Sequence, residues 1–233
     1  HIPHTGASDA EISAITYDSR KAAAGSLFVC LVGAWLDGHT YAASAYKNGC
    51  RAFLCEHTLD LPADAAQIIT ADTRAALAVI GADFYGNPAD QLHIIGITGT
   101  NGKTSVTLLL KSVLEQTRGA KVGLIGTMGN LVGQEAIPSE RTTPESLELQ
   151  QLFARMRDAG CQYAVMEVSS HAIALDRIGG VHYDVAAFTN LTEDHLDFHR
   201  TMDAYCDTKA ELFRRCDRAV INADDPYAPR MLQ

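Results

Sequence analysis

The chain has 233 residues, 47% hydrophobic and 20% charged, enough to bury one sizeable core and a smaller second one. Its formal charge of −9, with no Lys/Arg cluster, argues against nonspecific nucleic-acid binding, because a duplex would be repelled by such a surface. No apolar run approaches the roughly 18 residues of a membrane span and the start shows no signal-peptide pattern, so a soluble globular protein with no membrane span is expected.

In chain order, strand patterns at Ser26 to Val32, Ala52 to Cys55 and Gln67 to Thr70, with helix patterns at Tyr41 to Asn48 and Thr73 to Phe84, predict a small α/β unit. The turn formers YGNPAD from Tyr85 to Asp90 read as a linker, giving one domain over 1–88 and another over 89–233. Beyond it come strands at Leu92 to Ile97, Lys121 to Gly126, Tyr163 to Val168, Val185 to Thr189 and Ala219 to Asn222. Helix patterns at Ser105 to Gln116, Pro144 to Ala159 and Met202 to Arg215 alternate with them. This order predicts an α/β fold with a mostly parallel sheet, helices on both faces and ligands at the carboxyl ends of the strands. The six cysteines sit in apolar or helical contexts without a C-x-x-C pair and are expected to be reduced core thiols of a cytoplasmic protein. With His1 at one end and a strand-like segment just before Gln233 at the other, both ends are expected to be cut.

The run GITGTNGKTS from Gly96 to Ser105 joins a buried-strand pattern to a helix in which Val106, Leu108, Leu109, Val113 and Leu114 recur at helical spacing. A glycine-rich turn there gathers backbone N–H groups and the positive end of a helix dipole at one point, which suits a polyphosphate. Gly99, Thr100, Asn101, Gly102, Lys103, Thr104 and Ser105 form this candidate phosphate-binding turn. Lys103 would set positive charge against the outer phosphates, and the Thr104 hydroxyl could ligate Mg²⁺. The general P-loop pattern wants glycine five residues before Gly102, where Ile97 stands, and the glycines fall at Gly96 and Gly99 instead. The plain alternative is a structural glycine turn with an exposed lysine.

Two further strand ends carry polar groups. YAVMEVSSH places Glu167 at the edge of an apolar run, where an acid can reach a metal held over the glycine turn, and Ser169, Ser170 and His171 follow it. FTNLTEDHLDFH crowds Asn190, Asp194, His195, Asp197 and His199 into one loop, either as ligand-facing groups or as an exposed loop with caps for the next helix. His195 and His199 have the spacing of one helix face, but a third ligand at zinc-site spacing is missing, so hard-cation chemistry is favoured over zinc.

GITGTNGKTS, RTTPESLELQ, MEVSSHAIALDRI, FTNLTEDHLDFHRTMDAYCDTKAELF and INADD together resemble the Mur ligases in order and spacing, and within them the branch that adds the third residue of the peptide. ITYDSRKAAAGSLFVCLVG followed by DGHTY extends the likeness to the first region. The resemblance implies an ATP-dependent, Mg²⁺-dependent ligase of peptidoglycan precursor synthesis. Such an enzyme activates the carboxylate of a UDP-MurNAc-dipeptide as an acyl phosphate, which the amine of a diamino acid (meso-diaminopimelate or L-lysine) attacks. It further implies an N-terminal domain for the UDP-sugar, a central ATP-binding domain that is incomplete here, and a missing third domain, so that residues 1–233 alone would turn over little. A monomer is the default expectation.

By the same resemblance Lys103 and Thr104 match the phosphate-binding lysine and the first Mg²⁺ ligand, Glu167 an acidic metal ligand and His195 a ligand of a second Mg²⁺. Lys209 falls where these ligases carry a carbamylated lysine, whose CO₂ cap turns a cation into an oxygen ligand; read alone it is a solvated lysine on an amphipathic helix. Tyr17 and Ser19 match UDP contacts, although Asp18-Ser19-Arg20 by itself reads as a turn, and Thr142, Thr143, Ser169 and Arg177 match substrate contacts. Ala34, Trp35, Leu36 and Leu175 depart from relatives and carry no assigned role; Trp35 either stacks on the uracil or covers the small core. Another ligase of the superfamily, such as a folylpolyglutamate synthetase, and a noncatalytic nucleotide-binding module are the competing readings.

Overall fold

A computed structural model describes residues 4–5, 11–33 and 36–232; Ala34 and Trp35, on which the sequence left a choice open, lie outside them. The chain divides into two compact units, His1–Ile80 and Gly81–Gln233. The first holds strands β1 (His4–Thr5), β2 (Ala14–Thr16), β3 (Ser26–Val29), β4 (Ala52–Cys55) and β5 (Ala66–Ile69), with helix α1 (Ala42–Lys47) and the start of α2 (Thr73–Phe84). Its sheet runs β1-β5-β4-β3-β2, parallel except for β1. Phe28 and Phe53, edge to face at 6.1 Å, centre a core with Cys30, Cys50 and Cys55. Strand β3 stops three residues before the predicted end, where Leu31 turns back to bond the Val29 carbonyl.

The second unit contains β6 (His93–Thr98), α3 (Lys103–Arg118), β7 (Val122–Ile125), β8 (Asn130–Val132), β9 (Glu135–Ile137), α4 (Ser146–Asp158) and β10 (Tyr163–Glu167). It continues through α5 (Ser170–Ala174), β11 (Tyr183–Phe188), α6 (Leu196–His199), α7 (Met202–Ala210) and β12 (Cys216–Ile221). The sheet order is β12-β11-β6-β10-β7-β8-β9, parallel from β12 to β7. Alternation along β10 decides which helix covers which face. Ala164 and Met166 pack with Leu149, Phe153 and Met156 of α4, while Tyr163 and Val165 pack with Leu110 and Leu114 of α3. The helices therefore cover both faces, and the carboxyl ends of β6, β7, β10 and β11 come together at one edge.

Several short elements escape the periodicity. The β8–β9 hairpin turns on Gly133 at φ +62°, and its three-residue strands are too short to show alternation. Helix α5 is fixed by its cap: Ser169 Oγ accepts the Ala172 N–H at 3.2 Å. The predicted helix from Met202 to Arg215 leaves α geometry after Ala210 and tightens into a 3-10 turn over Glu211–Arg215 that seats the buried Leu212 in the core. All six cysteines are free thiols, and burial pushes Cys30 up to about 12 and Cys55 up to about 11, which keeps them protonated. Among the described residues no helix is long and apolar enough to cross a membrane.

Phe153 is fully buried between α4 and the sheet. Phe153→Ala should lower the stability of the second unit by about 3–5 kcal/mol, read as a shift of the urea midpoint.

Candidate functional site

The glycine turn after β6 is tied to the end of β11. Thr189 Oγ1 and Asn190 Nδ2 both donate to the Asn101 carbonyl, at 2.7 and 3.1 Å, and the Asn101 N–H donates to Asn190 Oδ1 at 3.0 Å. Gly99 is required at this approach: its φ is +141°, and a Cβ there would stand 1.9 Å from Thr189 Oγ1. Gly102, left-handed at φ +85°, starts α3 and leaves the first N–H groups of the helix unused by any side-chain cap.

Two lysines meet on this turn. Lys103 Nζ donates to the carbonyls of Gly99 and Thr100, both at 2.8 Å, and Lys209 Nζ reaches the same Gly99 carbonyl from α7 at 3.0 Å. Lys209 also lies over the Tyr205 ring, 4.6 Å from its centroid, and Tyr205 Oη returns to Thr100 Oγ1 at 3.4 Å. Lys209 is 1% exposed, and burial, followed by the charge of Lys103, pushes its pKa down to about 7; burial also lowers that of Lys103. The solvated-lysine alternative for Lys209 is thereby excluded.

Glu167, 1% exposed, ends β10 beside the turn. Its Oε1 accepts from Thr104 Oγ1 at 3.0 Å and from the Thr127 N–H at 2.9 Å, and its Oε2 accepts from Thr127 Oγ1 at 3.2 Å. A hydroxyl and a carboxylate in contact at the start of a helix are oxygen donors of the kind Mg²⁺ takes, so Thr104 and Glu167 fit such an ion. Among the described residues no three His, Cys, Asp or Glu side chains form a metal-holding cluster.

His195 takes φ +53° just before α6, pairs with Asp194 at 3.4 Å and sets its half-exposed ring edge-on to His171, 4.7 Å away. His199 has a different environment: it is buried, its Nε2 meets Ser170 Oγ at 2.9 Å and its ring lies 4.9 Å from Tyr205. The substrate candidates of this unit are linked to Glu167. Thr143 Oγ1 donates to the Glu167 carbonyl at 2.9 Å and accepts the Ser169 N–H at 3.1 Å, while Thr142 Oγ1 meets Thr127 Oγ1 at 2.9 Å. Arg177 pairs with Glu145 at 2.9 Å and reaches the Thr143 carbonyl at 3.4 Å.

In the first unit Ser19 sits in a turn, its carbonyl accepting from Asn48 Nδ2 at 2.8 Å. Hydrogen bonding to Arg20 holds the neighbouring Asp18 carboxyl down at about 2, and Tyr17 beside it is half-buried. Leu36 is exposed and Leu175 closes α5. Sequence reasoning passed over Thr127, Glu145 and Tyr205. For Thr127 a signal existed, since it directly follows the predicted strand Lys121 to Gly126, at the carboxyl end where a parallel sheet gathers its ligands.

The model of the Mur ligase middle domain matches residues 97–233, and that of the Mur ligase family catalytic domain matches residues 11–85. The UDP-N-acetylmuramoyl-L-alanyl-D-glutamate–2,6-diaminopimelate ligase of Clostridium botulinum is 51% identical over 226 residues, covering 96% of this chain and 47% of the relative. The ligase of the same name from Clostridium perfringens is 45% identical over 228 residues, covering 98% and 47%. A solved ligase of that name superposes with a TM-score of 0.81 at 30% identity, covering 95% of this chain and 45% of the other. The chain thus spans about half the length of the relatives it matches.

Burial, and behind it the charges of His171, Lys209 and His195, pushes His199 down to about 4, against the opposing pull of Asp197. Between about pH 6.5 and 4 the unfolded chain then binds more protons at this site than the folded one, so stability falls as pH falls through that window. His199→Gln should flatten the decline: between pH 6.5 and 4.5 its Tm is expected to drop by roughly 3–6 °C less than that of the parent.

Proposed function

This chain belongs to the Mur ligase family, and from that premise we propose that the complete protein is an ATP-dependent ligase of peptidoglycan precursor synthesis. It joins a diamino acid, diaminopimelate being the one for which its relatives are named, to the D-glutamate end of UDP-MurNAc-L-Ala-D-Glu. The observation that carries this reading is the contact of Thr104, in the Gly-Lys-Thr turn, with Glu167 at the neighbouring strand end.

Both reactants of the first step are anionic, so the chain must bring positive charge to them and align them. Bound MgATP supplies the phosphoryl group and metal charge for activating the acceptor carboxylate as an acyl phosphate. Lys103 and the free N–H groups of α3 hold the phosphates, and Thr104 and Glu167 orient the first Mg²⁺. His195, with Lys209 as its carbamate, serves the second. The low pKa of Lys209 favours this, because only a neutral amine adds CO₂ and about 7 leaves much of it neutral at cellular pH. Thr142, Thr143, Ser169 and Arg177 hold the acceptor peptide, and Tyr17 and Ser19 the UDP. The first unit is then the UDP-sugar domain and the second the ATP domain. Such a reaction belongs in the cytoplasm, where nucleotide-linked precursors and ATP are found, and the enzyme acts as a monomer.

The test is phosphate release by the complete protein, which should require ATP, UDP-MurNAc-L-Ala-D-Glu and diaminopimelate together. Release that ignores the diamino acid, or nucleotide binding without any release, overturns the reading, the latter in favour of a binding module. Lys209→Ala should lose about 100-fold or more of the rate, with no recovery in added bicarbonate; full activity in that variant removes Lys209 from the mechanism.

A further inference from the structure

Thr127 has no part in the reaction as described, yet it stands between two groups that do. Its N–H and hydroxyl engage both oxygens of the Glu167 carboxylate, at 2.9 and 3.2 Å, and its hydroxyl meets Thr142 Oγ1 at 2.9 Å. The end of β7 is shaped around this contact, because a Cβ on the preceding Gly126 would come within 2.4 Å of Glu167 Oε1. Counting protons orders the chain of bonds. A carboxylate only accepts, so the one hydroxyl proton of Thr127 goes to Glu167, and the Thr142 hydroxyl must donate to Thr127. Thr104 closes the arrangement on Oε1 at 3.0 Å.

We propose that Thr127 is a positioning residue: it fixes the rotation of the Glu167 carboxylate toward Thr104 and ties that orientation to Thr142, the contact for the acceptor substrate. The inference rests on reading Thr104 and Glu167 as holders of Mg²⁺. Partners that orient a metal ligand are typically worth about 10–100-fold in metal affinity or activity. A bidentate hold on a buried carboxylate belongs to that class.

Thr127→Val keeps the side-chain shape and the N–H but deletes the hydroxyl, whereas Thr127→Ser keeps the hydroxyl. In the complete protein, the Mg²⁺ concentration that gives half-maximal binding of a fluorescent ATP analogue is measured beside Tm. The valine variant should need about 10-fold more Mg²⁺ and the serine variant no more than about threefold more. KM for the UDP-dipeptide should rise with valine and be recovered by serine. Thr142→Val, which removes the donor that braces the Thr127 hydroxyl, should shift the Mg²⁺ midpoint in the same direction, and it serves as the probe if Thr127→Val does not fold. A valine variant with the parent's midpoint, a serine variant as impaired as the valine one, or an unshifted Thr142→Val overturns the assignment. Because the midpoint is read from binding, it stands apart from the ligase reaction: a protein without ligase activity that shows these shifts keeps Thr127 in this role and loses only the function proposed above.

Discussion

One buried carboxylate sets the terms for the rest of the second unit. Glu167 lies out of water at the end of β10, and a charge so placed is tolerable only when donors surround it. Those donors come from the segments that follow β6 and β7, so the three strands must stand in one register. Glu167 pairs with Ile97, and Met166 with both Gly96 and Ile125. The apolar side chains enforce that register, because a slip by one residue would turn Met166 toward α3 and Val165 toward α4. The packing of the two faces and the chemistry of the edge are one constraint seen from two sides.

The same constraint explains how much could be read in advance. The long helices and the strands of the parallel sheet announce themselves by period, and the glycine turn is legible because its groups are consecutive in the chain. Glu167 stood out as an acid closing an apolar run. Elements of three to five residues, β8, β9, α5 and α6, span too little of a period and depend on caps and turns. Thr127 and Tyr205 were hidden for another reason: their partners lie 40 and 105 residues away, at Glu167 and Thr100, and only folding brings them together. The burial of Lys209 belongs to the same group, since a helix-face pattern gives no account of what α7 is pressed against.

Arg177, matched in sequence to a substrate contact, already has a carboxylate partner within the protein. Its guanidinium could take a phosphate or a carboxylate, and the structure gives it Glu145, with side-chain exposures of 13% and 7%. Deleting either partner would strand a charge in a poorly solvated place. The pair, with the bond to the Thr143 carbonyl, braces the Thr-Thr-Pro-Glu segment from which the candidate substrate contacts project.

The Gly99 carbonyl receives both Lys103 and Lys209, although Lys209 is 110 residues further along the chain. The start of α3 and the end of α7 thus share a single oxygen acceptor. Since Lys103 is bonded within its own segment, Lys209 is the amine that clamps α7 onto the turn, and freeing it from that oxygen requires two distant stretches of chain to part.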